Sequence, residues 1–190
     1  MNKDLNKGIT EIQYNSLNLP KQMNIKSPVA EARNKYIYSA GGQKLRVVQK
    51  WNPNYSTTPV IGSSINTIAL TKTTDYVGNE IYENGTLKRI LVDGEYIEGG
   101  VYYYYIYDHL GNNREVVNAN GTMIQKTHYY PFGSSFAVTT GIEKQPYKYN
   151  GKELDQMHEL NQYDYSARYY ESVVGEIYKC GSVSGKVLFY

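Results

Sequence analysis

The sequence predicts an all-β protein built of serial antiparallel hairpins that form a curved, open fragment of sheet. Three observations carry that expectation. Tyrosine supplies 22 of the 190 residues, while Leu, Ile, Val and Phe together supply only 42. The apolar faces must therefore be built largely from rings that carry a hydroxyl. Gly and Asn contribute 17 residues each, the two types that most readily take the φ > 0 positions of tight hairpin turns. Short runs of alternating polarity recur along the chain, separated by polar turns, which is the pattern of half-buried strands.

The elements follow in order. Ile9 to Tyr14 alternates, placing Ile12 and Tyr14 on one face, turns at Asn15-Ser16-Leu17-Asn18 and resumes at Leu19 to Met23. Lys35 to Tyr38, the turn Ser39-Ala40-Gly41-Gly42 and Lys44 to Val48 repeat the scheme. In the third unit Asn84-Gly85 separates Ile81-Tyr82-Glu83 from Thr86 to Leu91, and Asp93-Gly94 follows as a second turn; these dipeptides are strong hairpin signals. The fourth runs from Tyr102 to Tyr107, through Asp108-His109-Leu110-Gly111, to Glu115-Val116-Val117, the turn Asn118-Ala119-Asn120-Gly121 and the run Thr122 to Tyr130. With Tyr14, Tyr38, Tyr82, Tyr107 and Tyr129 as anchors the spacings are 24, 44, 25 and 22 residues. The interval of 44 reads as two units, one of them degraded. A period in the low twenties corresponds to one hairpin per unit, and such units share a continuous sheet with their neighbours.

Two segments depart from the pattern. Trp51 to Thr74, with Pro53, Pro59 and many Ser and Thr, reads as a loop insertion with one strand at Ile65 to Leu70. Lys152 to Leu160 is the one helix-compatible stretch, with Leu154, Met157 and Leu160 on one side, although a helix of one or two turns is marginal by itself. The resulting organisation is degenerate hairpins over 1–50, an insertion over 51–75, hairpins over 76–135, a distinct C-terminal core over 136–173 and a divergent tail over 174–190.

Composition removes several function classes. The chain has no apolar run near the ~20 residues of a membrane-spanning helix, and its polar start lacks a secretory h-region. Membrane insertion is not expected. Net charge is +2 with dispersed basic residues, which is not the footprint of a nucleic-acid binder. Cys180 is the only cysteine, and His109, His128 and His158 have no ligand neighbours at metal spacing. No metal and no cofactor is expected. Cys180 has no base beside it, Ser63-Ser64 and Ser134-Ser135 lie in no Gly-x-Ser-x-Gly elbow, and Gly41-Gly42 with Lys44 lacks phosphate-loop spacing. Basic residues among aromatics, at Lys88-Arg89 and Tyr147-Lys148-Tyr149, read as the solvent face of strands.

Tyr107-Asp108-His109-Leu110-Gly111-Asn112 resembles the tyrosine-aspartate (YD) repeat of the RHS family. Further along, Tyr130-Pro131-Phe132-Gly133, then Asn150-Gly151-Lys152-Glu153-Leu154, then Tyr163-Asp164-Tyr165-Ser166-Ala167-Arg168-Tyr169-Tyr170 resemble, in order, the RHS repeat-associated core. The resemblance is specific over Ile81 to Tyr170 and weaker over Ile9 to Val48. It implies a scaffold: in that family the repeats form a sheet that spirals into a hollow shell around a variable C-terminal toxin, and the core closes the shell. Full-length relatives are secreted or displayed at the cell surface. The partners so implied are the rest of the shell and a toxin domain. The chain stops at Tyr190, which leaves no room for the toxin, so the expectation is a scaffold fragment whose open sheet edges drive self-association.

Many family members carry an aspartyl autoprotease in the core. Here the family's Asp-Pro-x-x-Gly-Arg-aromatic continuation is replaced by Glu171-Ser172-Val173-Val174-Gly175-Glu176-Ile177. The protease candidates are Glu171 with Asp164 or Asp155, since peptide cleavage needs two carboxylates sharing a proton. The plainer reading makes Glu171 an exposed turn carboxylate and the chain no enzyme. Ser166 stands where the family has Gly, so a φ > 0 backbone there is strained. Tyr103 and Tyr105 are candidates for stacking on a glycan, against the plainer role of cross-strand filler.

Overall fold

The computed structural model describes residues 3–28, 30–53, 68–136, 145–166 and 168–177. The hairpin repeat forms a meander: β1 (Ile9–Tyr14), β2 (Pro20–Lys26), β3 (Glu31–Tyr38), β4 (Lys44–Trp51), β5 (Leu70–Val77), β6 (Glu80–Glu83), β7 (Thr86–Val92), β8 (Glu95–Glu98), β9 (Val101–Tyr107), β10 (Asn113–Asn118) and β11 (Met123–Lys126). Each strand pairs antiparallel with the next in one 11-stranded sheet, and β1 and β11 are its open ends. The all-β, open-sheet expectation holds.

One turn geometry explains the local signal. At Asn15, Ser39, Asp108 and Asn118 the backbone N–H donates to the carbonyl four residues on, and the carbonyl accepts the N–H three residues on. The side-chain oxygen of the same residue accepts the N–H four residues on, from Leu19, Gln43, Asn112 and Thr122 respectively. The fourth turn residue is Asn18, Gly42, Gly111 or Gly121, each at φ between 58° and 83°, a left-handed position that Gly and Asn tolerate. Tyr14, Tyr38 and Tyr107 each end the strand before such a cap, so a Tyr-Asp pair is a strand end followed by its turn lock.

Side chains alternate across the sheet. Ile9, Met23, Ile25, Ala32, Tyr36 and Val47 are buried together on the inner face, and Leu160 and Tyr169 from the C-terminal segment enter the same cluster. Further along that face the buried residues include Thr74, Arg89 and Gln125. The C-terminal segment, hereafter the plug, holds β14 (Glu153–Asp155), β15 (Gln162–Asp164), β16 (Tyr169–Glu171) and β17 (Glu176–Ile177) in a second sheet. Ahead of it, β12 (His128–Tyr129) and β13 (Ser135–Phe136) form a small hairpin. The plug bonds to Lys7 beside β1 and to Asn113 in β10. Those strands would lie roughly 40 Å apart in a flat sheet, so the wall bends around the plug.

Three expectations need correction. Residues 153–155 are strand and 157–159 a single 3-10 turn, with His158 and Glu159 at positive φ. Pairing of β14 with β15 takes the backbone that a helix over 152–160 would use, and Asp155 Oδ1 caps Met157 N. The 44-residue interval is not two units, because β4 pairs directly with β5 along Arg46–Trp51 and Leu70–Asp75. Tyr76, near the end of β5, is in phase with Tyr14 and Tyr38, whereas Tyr82 faces the turn at the opposite end of the sheet. Of the strand expected at Ile65–Leu70, Leu70 opens β5 and 65–67 lie outside the described residues. Ala167, Cys180 and the tail from 178 also lie outside them.

Candidate functional site

The family-like motifs meet in a clamp of tyrosine hydroxyls. The turn between β12 and β13 presents three successive carbonyls: Tyr149 donates to Pro131 O at 3.3 Å, Tyr170 to Phe132 O at 2.9 Å and Tyr163 to Gly133 O at 2.9 Å. Tyr163 and Tyr170 share the apolar face of the plug sheet with Leu154, and Tyr149, Tyr165 and Ile177 pack against it. Tyr130 and Phe132 stay exposed. Gly133 has φ 86°, and its α-carbon lies against the Tyr149 ring. Asn150 donates to the Tyr165 hydroxyl at 3.0 Å, Lys152 lies over the Tyr165 ring, and Arg168 O accepts the Tyr165 N–H.

The same segment docks on the turn after β9. Asp108 Oδ1 accepts from Leu110 N and Asn112 N, and Oδ2 from the Asn112 amide. Burial of the Asp108 carboxyl acts upward, but these donors hold it below the usual carboxylate range. Asn112 Oδ1 then accepts Asn150 N at 2.9 Å, and Asn113 reaches Tyr147 O at 3.1 Å. Gly111 sits in this turn at φ 78°, and Gly151 in the corresponding plug turn at φ 63°. The repeat turn and the core motif thus form one hydrogen-bonded unit.

The other face of the plug sheet is acidic. Register places Glu153, Asp164 and Tyr169 in one row, and Asp155, Gln162 and Glu171 in the next. This face turns toward the wall. Lys44 Nζ lies 2.9 Å from Glu153 and 2.5 Å from Asp164, and the Tyr76 hydroxyl donates to Glu153 at 2.8 Å. Burial alone would depress the Lys44 ammonium, yet Glu153, Tyr76 and Asp164 keep it well above the ordinary lysine value. Lys7 pairs with Glu171 and donates to Leu160 O. Glu171 is buried, at 2% exposure, where the sequence suggested an exposed turn carboxylate; the Lys7 ammonium compensates its charge. Gln162 stands between Glu171 and Asp155 on the intervening strand. Asp155 and Asp164 lie on adjacent strands, two residues out of register, with the Leu154–Tyr163 pair between their positions. Between plug and wall is a cavity of about 680 Å³ whose lining includes Tyr36, Lys72, Arg89, Asp155 and Glu159.

Beyond the plug, tyrosines line the wall. Tyr96 stacks on Tyr103 with centroids 4.8 Å apart and planes 9° from parallel, and Tyr105 contacts both Tyr96 and Tyr107. Arg89, bound to Glu98, lies over the Tyr96 ring. Tyr103 and Tyr105 therefore sit half-buried in an inward ladder, and the Tyr105 hydroxyl is enclosed. The outward rings of β9 are Tyr102 and Tyr104, exposed at 45% and 41%. Sequence reasoning missed Lys7, Lys44, Tyr76 and Asn113 as contact residues. Alternation places Lys44 beside Tyr38 across the β3–β4 bulge, but its partners lie more than a hundred residues away.

Neither a family model nor a curated protein matches the sequence. Solved structures do resemble it. The TcdB2-TccC3-TEV crystal structure superposes with a TM-score of 0.68 at 19% identity over 93% of this chain. TcdB2-TccC3 without its hypervariable C-terminal region gives 0.65 at 19% identity over 93%. A Photorhabdus luminescens Tc holotoxin pore with a substitution in TccC3 gives 0.62 at 18% identity over 88%. This chain spans 9% of the first two matched chains and 8% of the third. The likeness is one of fold.

Proposed function

We propose that this chain is a segment of the wall of an RHS-type container, together with a plug that closes it, and that its role is to enclose a polypeptide rather than to turn over a substrate. One observation carries this reading: the 11-stranded wall presents an inward face of tyrosines and paired polar groups, and the plug is seated on that face by Lys7, Lys44 and Asn113. Shared fold with chains from TcdB2-TccC3 complexes and a Tc holotoxin pore supports it. The partners are further wall segments, joined at the edges of β1 and β11, and a toxin domain held inside. No catalytic step is assigned to the chain.

The test joins an unstructured, protease-sensitive reporter to Tyr190 and separates assembled from monomeric protein. Enclosure predicts at least tenfold slower digestion of the reporter in the assembled fraction. Equal rates in both fractions would refute it.

A second reading, self-cleavage by an aspartyl pair, draws on Asp155 and Asp164 sharing one face of paired strands in the plug sheet, two residues out of register. Mass spectrometry after prolonged incubation decides it: an intact chain disposes of self-cleavage, and a fragment that vanishes in Asp155→Asn supports it.

A further inference from the structure

The acidic face of the plug is undercompensated. Glu153 and Asp164 share the single ammonium of Lys44, and Glu171 has Lys7. Asp155, in the same row as Glu171, makes no ion pair among the described residues and accepts one hydrogen bond, from Met157 N. The cations across the cavity are already engaged: Lys72 with Glu83 at 2.9 Å, and Lys88 and Arg89 with Glu98 at 2.7 and 2.5 Å. From the wall, β3 brings the Tyr36 ring and β4 the Lys44 ammonium toward Asp155. The β5 edge of the cavity adds Tyr76. On the plug itself, β16 contributes Tyr169, and the turn after β14 carries His158 and Glu159.

We propose that the plug–wall contact is a proton-operated latch, in which docking favours the neutral form of Asp155 and the plug is held more tightly at mildly acidic than at alkaline pH. Without a cation of its own, an ionised Asp155 would be a third negative charge beside Glu153 and Asp164 in a partly dehydrated seam. Burial acts first, and Glu153 and Asp164 add to it against the Met157 N–H and Lys44, so that the carboxyl is pushed from 3.8 up to about 6.

The sign follows from linkage. A carboxyl raised in the docked state binds more protons there than when exposed, so docking gains stability as pH falls through about 6 toward 4. His158 acts oppositely, since burial lowers its pKa and docking loses stability as acid charges the ring. A variant that retains His158 isolates Asp155. The latch regulates the plug of the container proposed above and rests on that reading for its use. Its test needs no assembly, so the two can fail separately.

Hydrogen exchange of the full chain, corrected for intrinsic rates, is followed in peptides covering 153–164 at pH 5 and pH 8, in the wild type and in Asp155→Asn. The latch predicts that the ratio of wild-type to variant opening is about tenfold larger at pH 8 than at pH 5. An unchanged ratio overturns it. Should the variant fail to fold, a carbon-13 titration of the wild-type Asp155 carboxyl replaces it: a midpoint near 6 upholds the latch, and one near 4 overturns it.

Discussion

Gly133 lies beneath the ring of Tyr149 so closely that a β-carbon at this position would fall inside van der Waals contact with three ring carbons. The φ of 86° disfavours any other residue there as well. Gly133→Ala is therefore expected to cost about 2 kcal/mol or more in denaturant unfolding, from strain and overpacking together. Tyr163→Phe keeps the ring but leaves the buried Gly133 carbonyl without its donor, at a cost of about 1–3 kcal/mol.

Ser166 holds φ 69° while its N–H donates to Asp164 Oδ1 at 2.7 Å. Left-handed backbone costs a side-chain-bearing residue roughly 1–2 kcal/mol, a penalty glycine escapes. Ser166→Gly should raise the unfolding midpoint, by up to about 1 kcal/mol once glycine's greater freedom in the unfolded chain is deducted. Thermal or urea unfolding checks the sign.

Asp108 locks its turn with three hydrogen bonds. Asp108→Ala is expected to cost about 1 kcal/mol at neutral pH. Asp108→Asn should cost less, because Asn15 and Asn118 cap the same turn with an amide oxygen. With the folded pKa held below 3.8, the carboxylate's contribution is complete above that value and is lost as pH falls through the folded one. Urea unfolding from pH 7 to pH 3 should show the Asn variant losing less stability than the wild type.

Lys44→Met leaves Glu153 and Asp164 facing each other in the seam without a cation. Breaking a buried pair on one side typically costs about 3–5 kcal/mol. Exchange protection over β14 and β15 should collapse, while the β9–β10 hairpin, held by its own turn, keeps its protection.

The turns were the most legible part of the fold. Asn15, Ser39, Asp108 and Asn118, each followed three residues later by Asn or Gly, announce a lock that depends on local geometry alone. Consecutive pairing of the strands then follows from the shortness of the connections. The phase slip at Tyr82 arose because Asn84-Gly85 is an equally good turn signal at the other end of the sheet. Neither pairing nor pattern could place Lys44 against Glu153 and Asp164, because that contact forms only when the wall bends around the plug. The helix reading of 152–160 failed for a related reason. Leu154 faces the tyrosine clamp while Leu160 joins the wall cluster, so residues that would line one helix stripe enter different cores.

On the proposed reading the chain joins further wall segments along β1 and β11; among the described residues β1 pairs with β2 and, at Ile9, with Asp4, and β11 pairs with β10 alone. Light scattering across a concentration series measures that joining directly. A wall segment is expected to show a mass that climbs above 21.7 kDa as protein is added, with exchange protection appearing along β1 and β11 in the heavier species. A protein that stays monomeric at the highest attainable concentration, with both end strands exchanging freely, would contradict it.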